Sequence, residues 1–214
     1  MPPAVAARPR DIRGYPVPAI TPWEGGAPRF GVTGVERTFL CAIERRCSIC
    51  ATVMADGPVW RVVGGDEADA ITDALDAGRG YRNAAPTSEA PGHRACMLYA
   101  AMTCPYLSRP NARRGTEGVG AGVELTRGTR RGTGGAVVGF RSYDFSFAGA
   151  AGVLFRFDGV VEFLPHELGT EHLPLLRAAL DGGDAPAAAA PDYLGNDERA
   201  ASDAFKGYLG QLLG

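Results

Sequence analysis

The stretch that decides the fold runs from a close cysteine pair into an apolar strand: Cys47-Ser48-Ile49-Cys50-Ala51-Thr52-Val53-Met54-Ala55-Asp56-Gly57-Pro58-Val59-Trp60-Arg61-Val62-Val63. A C-x-x-C puts two thiolates on one side of a tight turn, where together they grip one cation. Alone, the spacing suits a redox pair equally well. Two β-type runs follow, residues 51–54 and 59–63, with Asp56-Gly57 between them. Asp-Gly is a hairpin dipeptide, so the pattern predicts a β-hairpin directly after the cysteines.

Toward the C-terminus, residues 66–77 carry Ala70, Ile71, Ala74 and Leu75 on one helical face, and Gly78 follows as a stop. Residues 79–92 read as a loop. His93-Arg94-Ala95-Cys96 then opens an expected helix over 93–102, striped by Ala95, Leu98, Tyr99 and Met102 and ended by Pro105. In its first turn the i, i+3 spacing sets imidazole and thiolate on one face. C-x-x-C, hairpin, then H-x-x-C at a helix start is the order of a treble-clef zinc site. Cys47, Cys50, His93 and Cys96 are therefore the expected ligands of a tetrahedral Zn2+. Two features depart from the usual knuckle: Ala51 stands where Gly is usual, and the helix over 66–77 is interposed.

Two alternatives stay open. One is a set of buried free thiols with a hydrogen-bonded His93. The other is an iron–sulfur cluster on Cys47, Cys50, Cys96 and Cys104, with Pro105 after the last. Cys96 and Cys104 lie eight residues apart on one expected helix. That is roughly 12 Å along its axis, which favours His93 over Cys104. Cys41, the fifth cysteine, reads as a small core residue. An odd cysteine count and an N-terminus without an apolar signal core disfavour a disulfide framework and lead to an expected cytoplasmic location. No apolar run approaches the length of a membrane span.

The flanks complete the plan. Residues 1–28 hold seven of the 16 prolines and read as an extended arm. Residues 35–43 suit a helix or a strand. Residues 108–135 are Arg- and Gly-rich, a long loop. Residues 136–147 and 152–163 are β-rich, and Asp158-Gly159 in the second predicts a tight turn, giving a strand–strand–turn–strand meander. A short helix over 173–180, an Ala/Pro/Gly linker and a last helix over 197–213, capped by Asn196, follow. The expected class is α+β: a treble-clef-like zinc-clamped hairpin/helix unit, an antiparallel β-meander and peripheral helices. The expected divisions are an arm (1–28), a zinc-binding domain (29–181), a linker (182–195) and a C-terminal helix (196–214).

Charge is unevenly spread. The whole chain carries −2, but residues 79–141 carry 10 Arg against Glu89, Glu117 and Glu124, and residues 142–214 carry 4 basic and 11 acidic groups. The basic middle attracts phosphate or carboxylate, or pairs with the acidic C-terminal third. Nucleic acid is a candidate partner but not the favoured one, because the pI is near 5.9 and no aromatic stacking set accompanies the arginines. A closed four-ligand zinc is structural, whereas a catalytic zinc keeps one position open. The main expectation is thus a structural zinc protein whose Arg-rich segment contacts a small anion. The alternative is an enzyme on a small anionic metabolite, with the metal or Cys104 at work and Arg109, Arg113 and Arg114 as the anion clamp. Cys104 also reads simply as a half-buried helix-end thiol, and a haem contact through Cys104-Pro105 rests on two residues only. His166 and His172 read as surface or loop histidines, because H-E-x-x-H and the deaminase pattern are absent. Tyr99 and Tyr143 read as core.

The run N-A-A-P-T-S-E-A-P-G-H-R-A-C-M-L-Y-A-A-M-T-C-P-Y-L-S-R-P from Asn83 resembles an uncharacterised family of actinobacteria and their phages. Its members carry an upstream C-x-x-C and then S-x-E-P-P-x-H-x-x-C-A-E-Y-A-x-x-x-C-P-F-L-S-R-P or close to it. Cys47 and Cys50 match the first pair. Ser88, Glu89, Pro91, His93, Cys96, Tyr99, Cys104, Pro105, Leu107, Arg109 and Pro110 match the second block. Gly139 to Tyr143 and Gly152 to Phe155 resemble two further strands. The resemblance covers roughly residues 41–181, implies the same ligand set, draws attention to Cys104 and Arg109, and implies no particular activity.

Overall fold

Three antiparallel strands organise the chain. The computed structural model describes residues 1–109, 111, 134–149, 152–182 and 189–213. In chain order the elements are α1 (Pro3–Ala6), β1 (Trp23–Glu24), β2 (Ala27–Pro28), α2 (Val35–Ile43), β3 (Val59–Gly64), α3 (Gly65–Asp76), α4 (Arg94–Thr103), α5 (Pro105–Ser108), β4 (Gly135–Phe147), β5 (Val153–Pro165), α6 (Leu173–Asp181) and α7 (Glu198–Leu213). The described residues are mixed helix and sheet, and both sheets are antiparallel.

The main sheet has the order β3-β4-β5. Ala136-Val137-Val138 and Phe140 are fully buried. Such an uninterrupted apolar run belongs to a strand covered on both faces. On one face Val62 and Val137 pack with Ala95, Leu98 and Ala101 of α4 and with Leu176 and Ala179 of α6. On the other, the Phe140 and Phe157 rings meet at a tilt, 4.9 Å apart, within the cluster that holds Phe39, Ile71 and Phe205. Beyond Arg141 the β4–β5 ribbon runs on, and Phe39 meets Phe147 and Phe205 edge to face.

The two expected turns become something else. Residues 51–54 do not pair with the strand over 59–64, because β3 takes β4 as its partner, Val62 facing Val137. Burial explains the choice: Val59 and Val63 are almost fully buried, so the strand goes to the core rather than to a short local hairpin. Val53 bridges back to Arg46 instead. Asp158-Gly159 is not a turn either. β5 runs straight through it, and the register slips so that Gly139 faces Glu162 while Phe140 faces Val160. The extra residue of that slip is Val161, and Gly159, at φ +67°, lies two residues before it within the strand. The meander is therefore made by β3, β4 and β5.

Residues 35–43 form a helix, of which Arg37 is fully buried. Its guanidinium holds Glu198 at 2.7 Å and the carbonyls of Ala19, Leu194 and Gly195, stitching α2 to both ends of the chain. α3 buries Ala68, Ile71 and Ala74, a stripe rotated from the expected one and leaving Ala70 and Leu75 exposed. This rotation puts Glu67 against the buried Arg61 of β3. α7 is capped by Asp197, whose carboxylate accepts the Arg199 and Ala200 N–H groups, rather than by Asn196. Within the Pro-rich arm Val5, Val17 and Ala19 are buried, and Arg8 donates to the carbonyls of Val17 and Leu194.

Candidate metal centre

The chain between Arg45 and Met54 doubles back tightly. Met54 N–H bonds the Arg45 carbonyl, Cys47 N–H the Thr52 carbonyl and Ala51 N–H the Cys47 carbonyl. This reversal carries Ala51 at φ +68° and Arg45 at φ +51°, the left-handed region where side chains are disfavoured. The glycine usual after a knuckle's second cysteine would sit there without strain. Two other segments brace the turn. Ala19 and Ile20 of the arm donate to the Ile49 and Ser48 carbonyls, and Ser48 N–H donates to the Pro91 carbonyl.

The second ligand pair arrives on α4. His93 is the residue just before the helix, so Cys96 lies in the first turn. Three contacts fix the start of this helix. Gly92 exchanges two backbone hydrogen bonds with Trp60 of β3, both 2.9 Å. Arg94 grips Glu162 of β5 through two nitrogens, at 2.7 and 2.6 Å. Glu162 also accepts from the Trp60 indole at 2.9 Å, and these partners, Arg94 foremost, hold its carboxyl below the usual range.

Side-chain ligand atoms of Cys47, Cys50, His93 and Cys96 consequently all lie within 4.8 Å of one another. The three sulfurs are fully buried, and His93 is half-buried. Metal bonds of about 2.3 Å to sulfur and 2.0–2.1 Å to nitrogen imply tetrahedral edges of roughly 3.8 Å between sulfurs and 3.5 Å from sulfur to nitrogen. Cys50 Sγ stands 3.5 Å from His93 Nδ1. The other ring nitrogen, Nε2, is 3.2 Å from the Val53 carbonyl. A proton on Nε2 donated to that oxygen leaves Nδ1 free as a ligand and fixes the ring in the tautomer that binds a metal. The cluster can hold a metal ion.

Its electrostatics suit a cation. Burial pushes the Cys47 thiol up, but hydrogen bonds from Cys50, Cys96 and His93 outweigh it and hold the group well below the ordinary thiol range. Burial would lower His93, yet hydrogen bonds and charge from Cys47 and Cys50 raise it to about 10. Cys96 is driven up, first by hydrogen bonding to Cys47 and Cys50 and then by burial. A dication bound here would displace the protons that the thiols and imidazole still share. The buried Arg8 faces Cys41, Cys50 and Cys47 as a further positive charge.

Gly92 is required here for space. A Cβ on it would stand 2.8 Å from Cys47 Sγ and 2.5 Å from the tip of Met97. An open cavity of about 240 Å³ beside it, lined by Met54, Pro58, Trp60, His93 and Arg94, leaves His93 as the member of the cluster nearest solvent.

Other expected residues lie elsewhere. Cys104 joins α4 to α5, half-buried, and is not part of the four-residue cluster. Arg109 is exposed, while Arg113 and Arg114, with most of the loop over 108–135, lie outside the described residues. Cys41 is buried, and desolvation pushes its thiol up. Tyr143 donates to the Ala42 carbonyl within the aromatic core, and Tyr99 packs against both hydrophobic clusters. His166 and His172, expected at the surface, are buried, with Nδ1 and Nε2 2.9 Å apart. The physical reason is the glycine between them. Gly169 at φ +69° turns the chain against the Ala101 carbonyl so closely that a Cβ there would stand 2.4 Å from the oxygen.

Sequence reading alone missed the structural anchors. Glu89 accepts from Arg61 at 2.8 Å and so ties the loop before His93 to β3. The Arg61 guanidinium lies over the Phe157 ring at 4.8 Å. An arginine in the middle of a valine-rich strand, followed within thirty residues by acids that include Glu67 and Glu89, is the signal that marks such a pair. No family model matches the chain, nor does any curated protein or solved structure. Among the described residues no helix is long and apolar enough to cross a membrane.

Proposed function

We propose that the protein is a zinc protein in which the metal, held by Cys47, Cys50, His93 and Cys96, clamps the C-x-x-C turn to the start of α4 in a treble-clef-like unit. The carrying observation is the convergence of these four donor atoms, 43 residues apart in the case of Cys50 and His93, within 4.8 Å. Three sulfurs and one nitrogen in a space this small suit a single tetrahedral ion. An iron–sulfur cluster would instead have to spread its ligands around an inorganic core, and Cys104, the fourth sulfur it needs, stands outside the group. Four protein ligands leave no position for a reacting water, which favours a structural over a catalytic ion.

The likeness of the block over 83–110 to the actinobacterial and phage family belongs to this proposal, as does cytoplasmic location. So does anion contact by Arg109, Arg113 and Arg114, which is supported by the net +7 of residues 79–141, 10 basic less 3 acidic. Elemental analysis with thiol counting tests the core of the reading. One zinc per chain is expected, with three additional thiols becoming reactive when a chelator is added. Folded protein that holds no zinc as purified and takes up none when it is added would refute it.

A further inference from the structure

The geometry points to Thr52 as a positioning residue of the metal centre: its hydroxyl donates a hydrogen bond to the Cys50 thiolate and tunes how that sulfur binds the ion. The inference deepens the metal reading above and rests on it. Thr52 Oγ1 lies 3.1 Å from Cys50 Sγ, and the residue is 1% exposed. That sulfur is the only hydrogen-bond partner of the hydroxyl among the described residues. A metal-bound thiolate has no proton to give, so the hydroxyl must be the donor. The same residue's carbonyl accepts the Cys47 N–H at 2.9 Å. Thr52 thus touches both halves of the C-x-x-C, one through the backbone and one through the side chain. Of the two cysteines, Cys50 alone receives a side-chain hydroxyl, while Cys47 Sγ receives the backbone N–H of His93 at 3.5 Å. A hydrogen bond withdraws electron density from a thiolate. It therefore raises the energy needed to move charge from that sulfur to a metal, and it holds the sulfur in the direction of the ion.

The test uses the full chain loaded with cobalt(II), whose thiolate-to-metal charge-transfer band reports on the sulfurs directly. Thr52→Val keeps the shape of the side chain and removes the hydroxyl. The band should move to lower energy, and zinc affinity measured against a chromophoric chelator should fall about 10- to 100-fold, the usual cost of losing an outer-shell partner. Thr52→Ser should restore both. Leu176→Ala, a core change in the hydrophobic cluster that holds none of the four ligands, should lower thermal stability and leave the band in place. Thr52→Val with a wild-type band and affinity overturns the assignment. Wild-type protein that takes up no cobalt overturns the metal reading itself, so the two failures are distinct. Should Thr52→Val not fold, wild-type protein loaded with an NMR-active cadmium isotope decides. Scalar coupling between the Thr52 hydroxyl proton and the metal across the Cys50 sulfur supports the assignment, and absence of that coupling overturns it.

Discussion

Replacing Gly92 by Ala should injure the metal centre without touching a ligand. Gly92 is not in the left-handed region, so no backbone strain arises, and both of its hydrogen bonds to Trp60 survive. What changes is space: the added Cβ falls 2.8 Å from Cys47 Sγ. Non-bonded heavy atoms prefer about 3.5–4.0 Å, so the sulfur or the backbone must give by roughly 0.7 Å or more. The Met97 tip, at 2.5 Å, can rotate away, but a ligated sulfur cannot, because metal–ligand distances tolerate only about 0.2 Å. Overpacking of this kind costs about 1–3 kcal/mol, and the lower entropy of the unfolded Ala chain returns about 0.4–1 kcal/mol. A net loss of about 1–2 kcal/mol is about a 5- to 30-fold weaker affinity. Zinc competition against a chromophoric chelator measures it, with thermal unfolding of the metal-free proteins as the reference. The metal-loaded form should lose more stability than the metal-free form. Gly92→Ala protein that binds zinc as tightly as wild type would refute the claim that this glycine exists to let the backbone approach Cys47.

Cys96→Ser removes one of three thiolates and should cost about 4 kcal/mol or more of unfolding free energy, read by urea titration in zinc; equal stability of the two proteins would count against a structural ion. Arg37→Ala strands Glu198 and several buried carbonyls and should cost about 3–5 kcal/mol, whereas Glu198→Gln should cost less, because that side chain is 35% exposed. His172 sits with its pKa lowered, by burial first and by Arg94, against the opposing charge of Glu171. An unfolded His172 thus takes up a proton before the folded one does. Its contribution to stability is complete above about pH 6.5 and shrinks as pH falls below that value, while the unfolded state binds the extra proton. Urea titrations across that range should show a steeper acid loss for wild type than for His172→Gln; parallel profiles would refute the linkage.

Much of the secondary structure follows from pattern. The helix over 94–103 and the long β ribbon are near where periodicity puts them, and residues 35–43 take the helical of the two forms their pattern allows. The two Asp-Gly dipeptides show where local signals stop. Each has good turn chemistry, yet the first lies beside a strand that the core claims, and the second lies inside β5, which pairs with β4 on both sides of it. A dipeptide weighs only its own dihedral preferences, whereas burial of Val59, Val63 and the phenylalanines weighs many side chains at once. The same limit hid the histidine pair, since nothing in H-E-x-x-x-x-H tells that Gly169 will press against α4.

For the site itself, residue types and spacing determined the donor set: two i, i+3 pairs of soft and borderline ligands define which four side chains can meet one ion. Their convergence was decided by tertiary structure. The order of the strands places Trp60 and Glu162 on either side of Gly139, across which they bond, and these two hold Gly92 and Arg94 so that His93 and Cys96 face the Cys47–Cys50 turn. Also decided there were the brace from Ala19 and the hydroxyl of Thr52 on the Cys50 sulfur. Spacing along a chain constrains only neighbours, because the position of a distant segment depends on the summed burial and hydrogen bonding of everything between.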